Sequence, residues 1–276
     1  MEPVVRTLTR RGHFTDRNPR ILTYHSIGVS GGYDSIGEEM LADHFAWLRE
    51  NYNVVPLHEI QSDPTGTKRI AVTVDDGLTS FAESILPCCR TYNIPVTVFV
   101  PTIAVSPAPG TDAQNVIRDR METPEAFMSI EQLQTVATDP LVTIGAHTWT
   151  HQSLATCTDP EMLQFEIVEA ADELESVLGT SIDSFAYPFN DWGEAAHEFV
   201  TERFSQAVHG RGRQTFITPF TSPHRLPRMG AAHPTKRLEL AVHDVSTLYH
   251  LSARTLPLDR PTLRSKINRW DTSFPK

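Results

Sequence analysis

Short apolar runs with hydrophobic residues at both odd and even positions recur along the chain and predict strands that are buried on both faces. The clearest are Arg69 to Val74 (RIAVTV) and Ile94 to Val100 (IPVTVFV), which are rich in β-branched residues. Three shorter runs follow the same pattern: Ile21 to His25, Leu141 to Ile144 and Ile182 to Ala186. Polar or turn-forming residues follow most of these runs, as expected where a strand passes into a loop.

Helical patterns lie between these strands. The longest amphipathic pattern covers Asp159 to Leu178 and ends at Gly179, and a shorter one covers Ser129 to Ala137 with Ser129 as its N-cap. Strands that alternate with helices at this spacing form a parallel sheet, and repeated strand–helix units favour a barrel with functional residues at the carboxyl ends of the strands. The pattern therefore predicts a barrel-like α/β fold.

The same pattern divides the chain into three parts. Residues 1–19 are basic and lack a hydrophobic pattern, so we expect a flexible leader. Residues 20–237 carry the alternating strands and helices of the barrel. Residues 238–276 predict a C-terminal helix and a polar tail that pack on the barrel.

Composition and charge exclude several functions. The 276 residues include 24 Lys and Arg against 34 Asp and Glu, a net charge of −10, without the basic clusters that nucleic-acid binding needs. No stretch approaches the roughly 20 apolar residues of a membrane-spanning helix, and the N-terminus lacks the apolar core of a secretory signal. We therefore expect a cytoplasmic protein without a membrane span, and the sequence leaves the oligomeric state open.

Two adjacent carboxylates, Asp75 and Asp76, follow the predicted strand that ends at Val74. Neighbouring side chains of an extended segment point in opposite directions, so one carboxylate can bind an ion while the other faces a substrate. A turn formed by Asp76 and Gly77 that only closes the strand is equally compatible with the segment. The segment alone leaves both interpretations open.

Two histidines, His147 and His151, follow another predicted buried strand. On one helical turn their spacing places both imidazoles on the same face, where they can bind one metal ion. The pattern is weak by itself, because the chain has 12 histidines. Together with a carboxylate from another strand end, it indicates a hydrolytic metal site with an open position for water.

Three segments taken together resemble a known family. TVDDG at residues 73–77, HTWTH at 147–151 and FAYPF at 185–189 are similar, in order and separation, to the motifs of the polysaccharide deacetylases, the NodB-homology group of family 4 carbohydrate esterases. The resemblance extends from Ile21 to Met229. It implies a distorted (β/α) barrel with fewer than eight strands, an N-acetylated carbohydrate substrate and one divalent metal ion, with Zn²⁺ as the first choice and Co²⁺ or Mn²⁺ as alternatives.

The resemblance also implies roles for the residues of the first two motifs. Asp76, His147 and His151 would be the metal ligands, and Asp75 would be the general base. In the third motif, the backbone N–H of Phe189 would stabilise the oxyanion.

Other residues near the motifs are candidates for substrate contacts. Pro188 would shape the turn that aims the N–H group, and Tyr187 precedes it in the same motif. Trp149 lies between the two proposed histidine ligands, where it either packs the loop or borders the sugar site.

The sequence departs from the family pattern at two positions. Many members have an arginine that orients the base where this chain has Ala186, and Arg228 in a Leu-Pro-Arg segment could supply the missing charge; a surface arginine beside proline is the alternative. The general acid of the family is a histidine in an L-x-x-H motif, which occurs here at both His25 and His243. We favour His25 as the general acid because it follows a clear strand pattern, and His243 is the second candidate.

The expected function is therefore metal-dependent removal of N-acetyl groups from an amino sugar in a polysaccharide or glycoside. One alternative is an amidohydrolase that cleaves a non-sugar C–N bond, as allantoinase-like relatives with the same barrel do. A second is an inactive barrel that only binds carbohydrate. The presence of Asp75 and of all three ligands argues against the inactive protein.

Overall fold

The structure is a computed structural model that describes residues 18–242, apart from residues 33, 63–67, 108–111, 117–119, 122 and 211–214. Most of the predicted leader (residues 1–17), the tail from residue 243 onward and His243 lie outside the described residues. The predicted domain boundaries stay predictions.

One parallel sheet forms the centre of the fold. Its strands are β1 (Arg20–Tyr24), β2 (Asn53–Val54), β3 (Arg69–Val74), β4 (Val96–Val100), β5 (Val142–Ala146), β6 (Ser184–Ala186), β7 (Gln206–His209), β8 (Leu226–Pro227) and β9 (Met229–Gly230). Their order is β8-β7-β6-β5-β4-β3-β1-β9, and β2 pairs with β3 outside this path. All the strand pairs are parallel, so the carboxyl ends of the strands share one edge.

A single short segment joins the two ends of the sheet into a nearly closed barrel. Its first half, β8, pairs with β7, and its second half, β9, pairs with β1. Between them, the N–H of Arg228 donates to the carbonyl of His209 at 2.8 Å. The α/β barrel is therefore confirmed, but the described sheet has nine strands instead of fewer than eight. The difference arises because β2 lies outside the ring and β8 and β9 are two pieces of one segment, which leaves seven strand positions around the ring.

The barrel interior is filled by side chains of different sizes. One buried cluster contains residues from six strands: Ile21, Ala71, Phe99, Ala186, Val208 and Leu226. Gly145 of β5 makes room for the largest of them, because a Cβ atom at this position would lie 2.5 Å from the Phe99 ring. The burial of residues on both faces of β1 and β3 explains why their sequences are apolar at both parities.

The α-helices of the described residues are α1 (Glu38–Asn51), α2 (Leu86–Tyr92), α3 (Ala113–Val116), α4 (Ile130–Ala137), α5 (Pro160–Leu163), α6 (Ala170–Leu178), α7 (Glu194–Arg203) and α8 (Thr235–Val242). Ser129 caps α4 through the predicted capping box. The long helix predicted up to Leu178 is interrupted by a π-helical turn, Gln164–Glu169, between α5 and α6. Within the described residues, no helix combines the length and the hydrophobicity needed to cross a bilayer.

Candidate active site

Polar side chains from four strand ends meet at the carboxyl edge of the barrel. Asp75 and Asp76 follow β3, His147 follows β5, His25 follows β1, and Arg228 lies between β8 and β9. Parallel pairing brings these ends together: the N–H of Asp75 donates to the carbonyl of Tyr24 at 3.0 Å, and the N–H of His147 donates to that of Val100 at 3.1 Å. The parallel topology thus brings together residues that are far apart in the sequence.

Asp76, His147 and His151 form a buried group of potential metal ligands. One ligand atom from each lies within 4.8 Å of the other two. The Nε2 atoms of His151 and His147 lie 3.3 and 3.6 Å from Oδ1 of Asp76. This Oδ1 atom is buried, yet it makes no hydrogen bond of acceptable geometry within the described residues. Such a set of converging donor atoms fits a divalent cation.

The protonation states of the group also suit a cation. Nδ1 of His147 lies 2.7 Å from the carbonyl oxygen of Ala186, and since that oxygen only accepts, Nδ1 must carry the proton. Nε2 of a neutral His147 therefore has a free lone pair. Burial lowers the pKa of His151 in spite of the nearby carboxylate of Asp76. Burial raises the pKa of Asp76, but the nearby His147, His151 and His25 outweigh this effect and hold that pKa well below its usual range.

The predicted helical turn between the two histidines is wrong. Residues 147–153 contain no helix, and the imidazoles meet because Thr148 and His151 both have positive φ, 63° and 53°. The left-handed conformation is uncommon for residues other than glycine, and least favourable for a β-branched residue such as Thr148. The His147 and His151 rings meet edge to face with their centroids 4.8 Å apart.

Asp75 faces an arginine instead of closing a simple turn. Nη1 of Arg228 donates to Oδ1 of Asp75 at 2.6 Å, and Nη2 donates to Oδ2 at 2.5 Å. Burial raises the pKa of Asp75, but the positive charge of Arg228 and the nearby His147 and His25 lower it below its usual value. Arg228 is 3% exposed, so the alternative of a surface arginine is wrong.

Two residues that the sequence analysis missed hold the Arg228 guanidinium. Its Nε donates to Oδ1 of Asn190 at 3.0 Å, and Nη1 also donates to the Thr23 hydroxyl at 2.8 Å. The Thr23 hydroxyl lies 2.8 Å from that of Thr73, which donates to the carbonyl of Leu22. A threonine in a strand and an asparagine in a turn carry no special sequence signal, and only the fold brings them to Arg228.

His25 also approaches the Asp75 carboxylate. Its Nε2 atom is 3.7 Å from Oδ2 of Asp75, and its Nδ1 atom is 3.9 Å from Oδ2 of Asp34. Asp34 was also missed by the sequence analysis, because it lies in a loop without a recognisable motif. The structure thus brings His25 to the site.

The third motif reaches the site through Phe189. Pro188 begins a short turn in which Phe189 has a φ of 56°, and the Phe189 ring lies 4.8 Å from that of His151. Phe189 is 54% exposed, so it borders the entrance to the site. The side chain of Tyr187 is buried, and its hydroxyl lies 3.0 Å from Nδ1 of His197 in α7.

Trp149 packs the loop between the two histidines. Its ring stacks on that of Phe165, with the centroids 4.6 Å apart and the planes inclined by 14°. Its indole N–H donates to the carbonyl of Ser106 at 3.1 Å. Of the two roles left open for this residue, these contacts match loop packing.

Comparison with known protein families agrees with the motifs found at this site. Residues 62–203, about half of the chain, match the polysaccharide deacetylase family. The chain belongs to this family.

Individual proteins are similar to this chain in sequence or in structure. A 137-residue segment is 31% identical to the poly-β-1,6-N-acetyl-D-glucosamine N-deacetylase of Escherichia coli, and the match covers 46% of this chain but only 20% of that enzyme. The solved structure of IcaB from Ammonifex degensii superposes with a TM-score of 0.67 at 20% identity, covering 82% of this chain and 97% of that one. The deacetylase PplD of Streptococcus pyogenes gives a TM-score of 0.63 at 16% identity, covering 77% and 92%. These two structures support the fold.

Proposed function

We propose that the chain is a metal-dependent N-deacetylase that hydrolyses the acetamide groups of an N-acetylated amino sugar in a polysaccharide. One observation carries the proposal: the ligand group of Asp76, His147 and His151 lies directly beside Asp75, whose carboxylate is bound by Arg228. Family membership supports the reaction class, and the E. coli relative, named for a β-1,6-linked N-acetylglucosamine polymer, supports the substrate class.

Asp76, His147 and His151 would hold the ion. Two imidazoles and one carboxylate suit Zn²⁺, with Co²⁺ or Mn²⁺ as alternatives. When bound, such an ion lowers the pKa of a water molecule and polarises the acetamide carbonyl.

Asp75 would act as the general base. Its Oδ2 atom lies 3.9 Å from Nε2 of His147, so the carboxylate borders the ligand group. It would accept a proton from water as the new C–O bond forms. Arg228 supports this role because its two hydrogen bonds fix the orientation of the carboxylate and favour its ionised form.

His25 would complete the proton transfer. It approaches Asp75 from β1, and its role would be to give a proton to the amide nitrogen as the C–N bond breaks, so that acetate and a free amine leave. Asp34 would orient its ring from the opposite nitrogen. The backbone N–H of Phe189 would stabilise the negative charge that develops on the carbonyl oxygen.

A screen for acetate release tests the proposal. The full chain would be incubated with β-1,6- and β-1,4-linked N-acetylglucosamine oligomers, peptidoglycan fragments and non-sugar amides, with and without added Zn²⁺ or Co²⁺. Metal-stimulated acetate release from a sugar oligomer is the expected result. Turnover of non-sugar amides alone would favour the amidohydrolase, and no turnover by metal-loaded protein would favour the inactive carbohydrate-binding barrel.

A further inference from the structure

A buried glutamate contacts residues 147–151, here called the ligand loop, and has no part in the proposed reaction. Glu166 lies in the π-helical turn Gln164–Glu169 and is 1% exposed. A carboxylate in such a place requires strong hydrogen-bond partners to offset its lost hydration. In the part of the chain that the structure describes, the Glu166 carboxylate binds Trp149 and Thr150, which lie between His147 and His151.

The Glu166 carboxylate binds two consecutive backbone N–H groups of that segment. Oε2 accepts from the N–H of Trp149 at 2.9 Å and from the N–H of Thr150 at 2.9 Å. The Trp149 N–H is shared with the carbonyl oxygen of Glu166 itself, at 3.1 Å. Hydrogen bonds to a charged acceptor are about twice as strong as neutral ones, so this side chain fixes the backbone midway between the two ligands.

A third hydrogen bond joins the Thr150 hydroxyl to the Glu166 carboxylate, and Arg120 determines its direction. Arg120 donates to the Thr150 hydroxyl at 2.6 Å and to its carbonyl at 2.5 Å. The hydroxyl proton is therefore directed to Oε1 of Glu166, at 2.5 Å. Thr150 is thus held from both sides, immediately before His151.

This loop needs such support because its conformation is unfavourable. Thr148 and His151 both have positive φ, a strained conformation for residues other than glycine that persists only where the surrounding structure imposes it. Hydrogen bonds from outside the segment offset this strain. On the opposite side, Thr102 and Ile103 donate backbone N–H groups to the carbonyls of Thr148 and Trp149, at 3.0 and 2.9 Å.

We propose that Glu166 is a positioning residue for the metal site: its hydrogen bonds to the loop set the separation of His147 and His151 and thereby the affinity for the divalent ion. The inference rests on the proposed function, because it assumes that these histidines bind a metal. Partners of this kind commonly contribute about 10- to 100-fold in metal affinity.

The test compares metal binding by four full-length proteins. Co²⁺ would be titrated into chelator-treated wild type, Glu166→Ala, Glu166→Gln and Glu175→Ala, with affinity measured by visible absorption and folding by circular dichroism. Glu175 is the control, since it lies in α6, accepts a backbone N–H from Ile182 at 2.8 Å and pairs with Arg203 at 3.1 Å, and so has described partners outside residues 147–151.

Glu166→Ala is expected to bind Co²⁺ about 10- to 100-fold more weakly. Glu166→Gln is expected to lie between wild type and Glu166→Ala, with about fivefold weaker binding, because its amide oxygen can still accept both N–H groups but its amide nitrogen cannot accept the Thr150 hydroxyl. Glu175→Ala should bind like wild type. An unchanged affinity in Glu166→Ala, or an equal loss in Glu175→Ala, would overturn the inference.

A second variant covers the case in which Glu166→Ala does not fold. Thr150→Val has nearly the same shape and removes the hydroxyl bond to Glu166 together with the bond that Arg120 donates to the same oxygen. Arg120 can still bind the Thr150 carbonyl, and we expect roughly fivefold weaker Co²⁺ binding. Wild-type affinity in Thr150→Val would then refute the inference. Wild-type protein that binds neither Co²⁺ nor Zn²⁺ would instead contradict the proposed function, so the two failures are distinguishable.

Discussion

Arg228 and Asp75 are 153 positions apart in the sequence, yet both guanidinium Nη atoms donate to the two carboxylate oxygens at 2.6 and 2.5 Å. Arg228 lies in the short segment that joins β7 to β1. The same ion pair therefore orients the proposed base and links the segment that contains β8 and β9 to the end of β3. A change at Arg228 should affect both activity and stability.

Replacement of Arg228 by Met is expected to destabilise the protein by about 3–5 kcal/mol, because it leaves the buried carboxylate of Asp75 without its partner. Urea unfolding at pH 7 measures the change. Arg90→Met is the control, since Arg90 also pairs with an aspartate, Asp139, but its side chain is 55% exposed. We expect it to cost no more than about 1 kcal/mol. An equal loss of unfolding free energy in the two variants would show that burial does not make the pair of Asp75 and Arg228 more important for stability than an exposed pair.

Replacement of Asp75 by Asn is expected to lower the rate of acetate release by about 10²- to 10⁴-fold, because an amide cannot accept the proton from water. Its metal content should remain that of wild type, since Asp75 is not one of the three proposed ligands. Activity assays and metal analysis of the same preparation check both parts, and a urea unfolding curve confirms that the variant is folded. Turnover close to wild type would remove Asp75 as the base.

Much of the fold and part of the site could be predicted from the sequence, for physical reasons. The strand that ends at Val74 is apolar at both parities because both of its faces are buried. Since parallel strands end at one edge, carboxylates after β3 and histidines after β5 were expected to meet there.

The rest depends on contacts that residue types alone do not specify. The positive φ values of Thr148 and His151 replaced the helical turn inferred from the spacing of the histidines. In the sequence, Glu166 looks like an ordinary polar position of an amphipathic helix. In the structure it lies in the π-helical turn, and its side chain binds the loop between His147 and His151. Arg228 was found only through the resemblance to a family, because no local pattern links it to Asp75.

Removal of the metal should abolish activity and lower the melting temperature together. A ligand that binds only the folded state stabilises it by RT ln(1 + [L]/Kd), about 2.7 kcal/mol at a free concentration of 100 times Kd. Added Zn²⁺ is therefore expected to raise the melting temperature of chelator-treated wild type and to restore acetate release. Asp76→Ala should show neither response, because it lacks a ligand of the group. Full activity after exhaustive chelation, with no bound metal detected, would contradict the metal mechanism.

The identity of the general acid is tested by comparing two histidines that share the L-x-x-H pattern. His25 lies 3.7 Å from Asp75, so His25→Ala is expected to lower the rate of acetate release by about 10²-fold or more through loss of proton donation to the leaving nitrogen. His243→Ala is expected to retain wild-type activity. A substrate with an activated leaving group needs less help from an acid, so the defect of His25→Ala should shrink for such a substrate, whereas that of Asp75→Asn should not. A larger defect at His243 than at His25 would reverse the assignment.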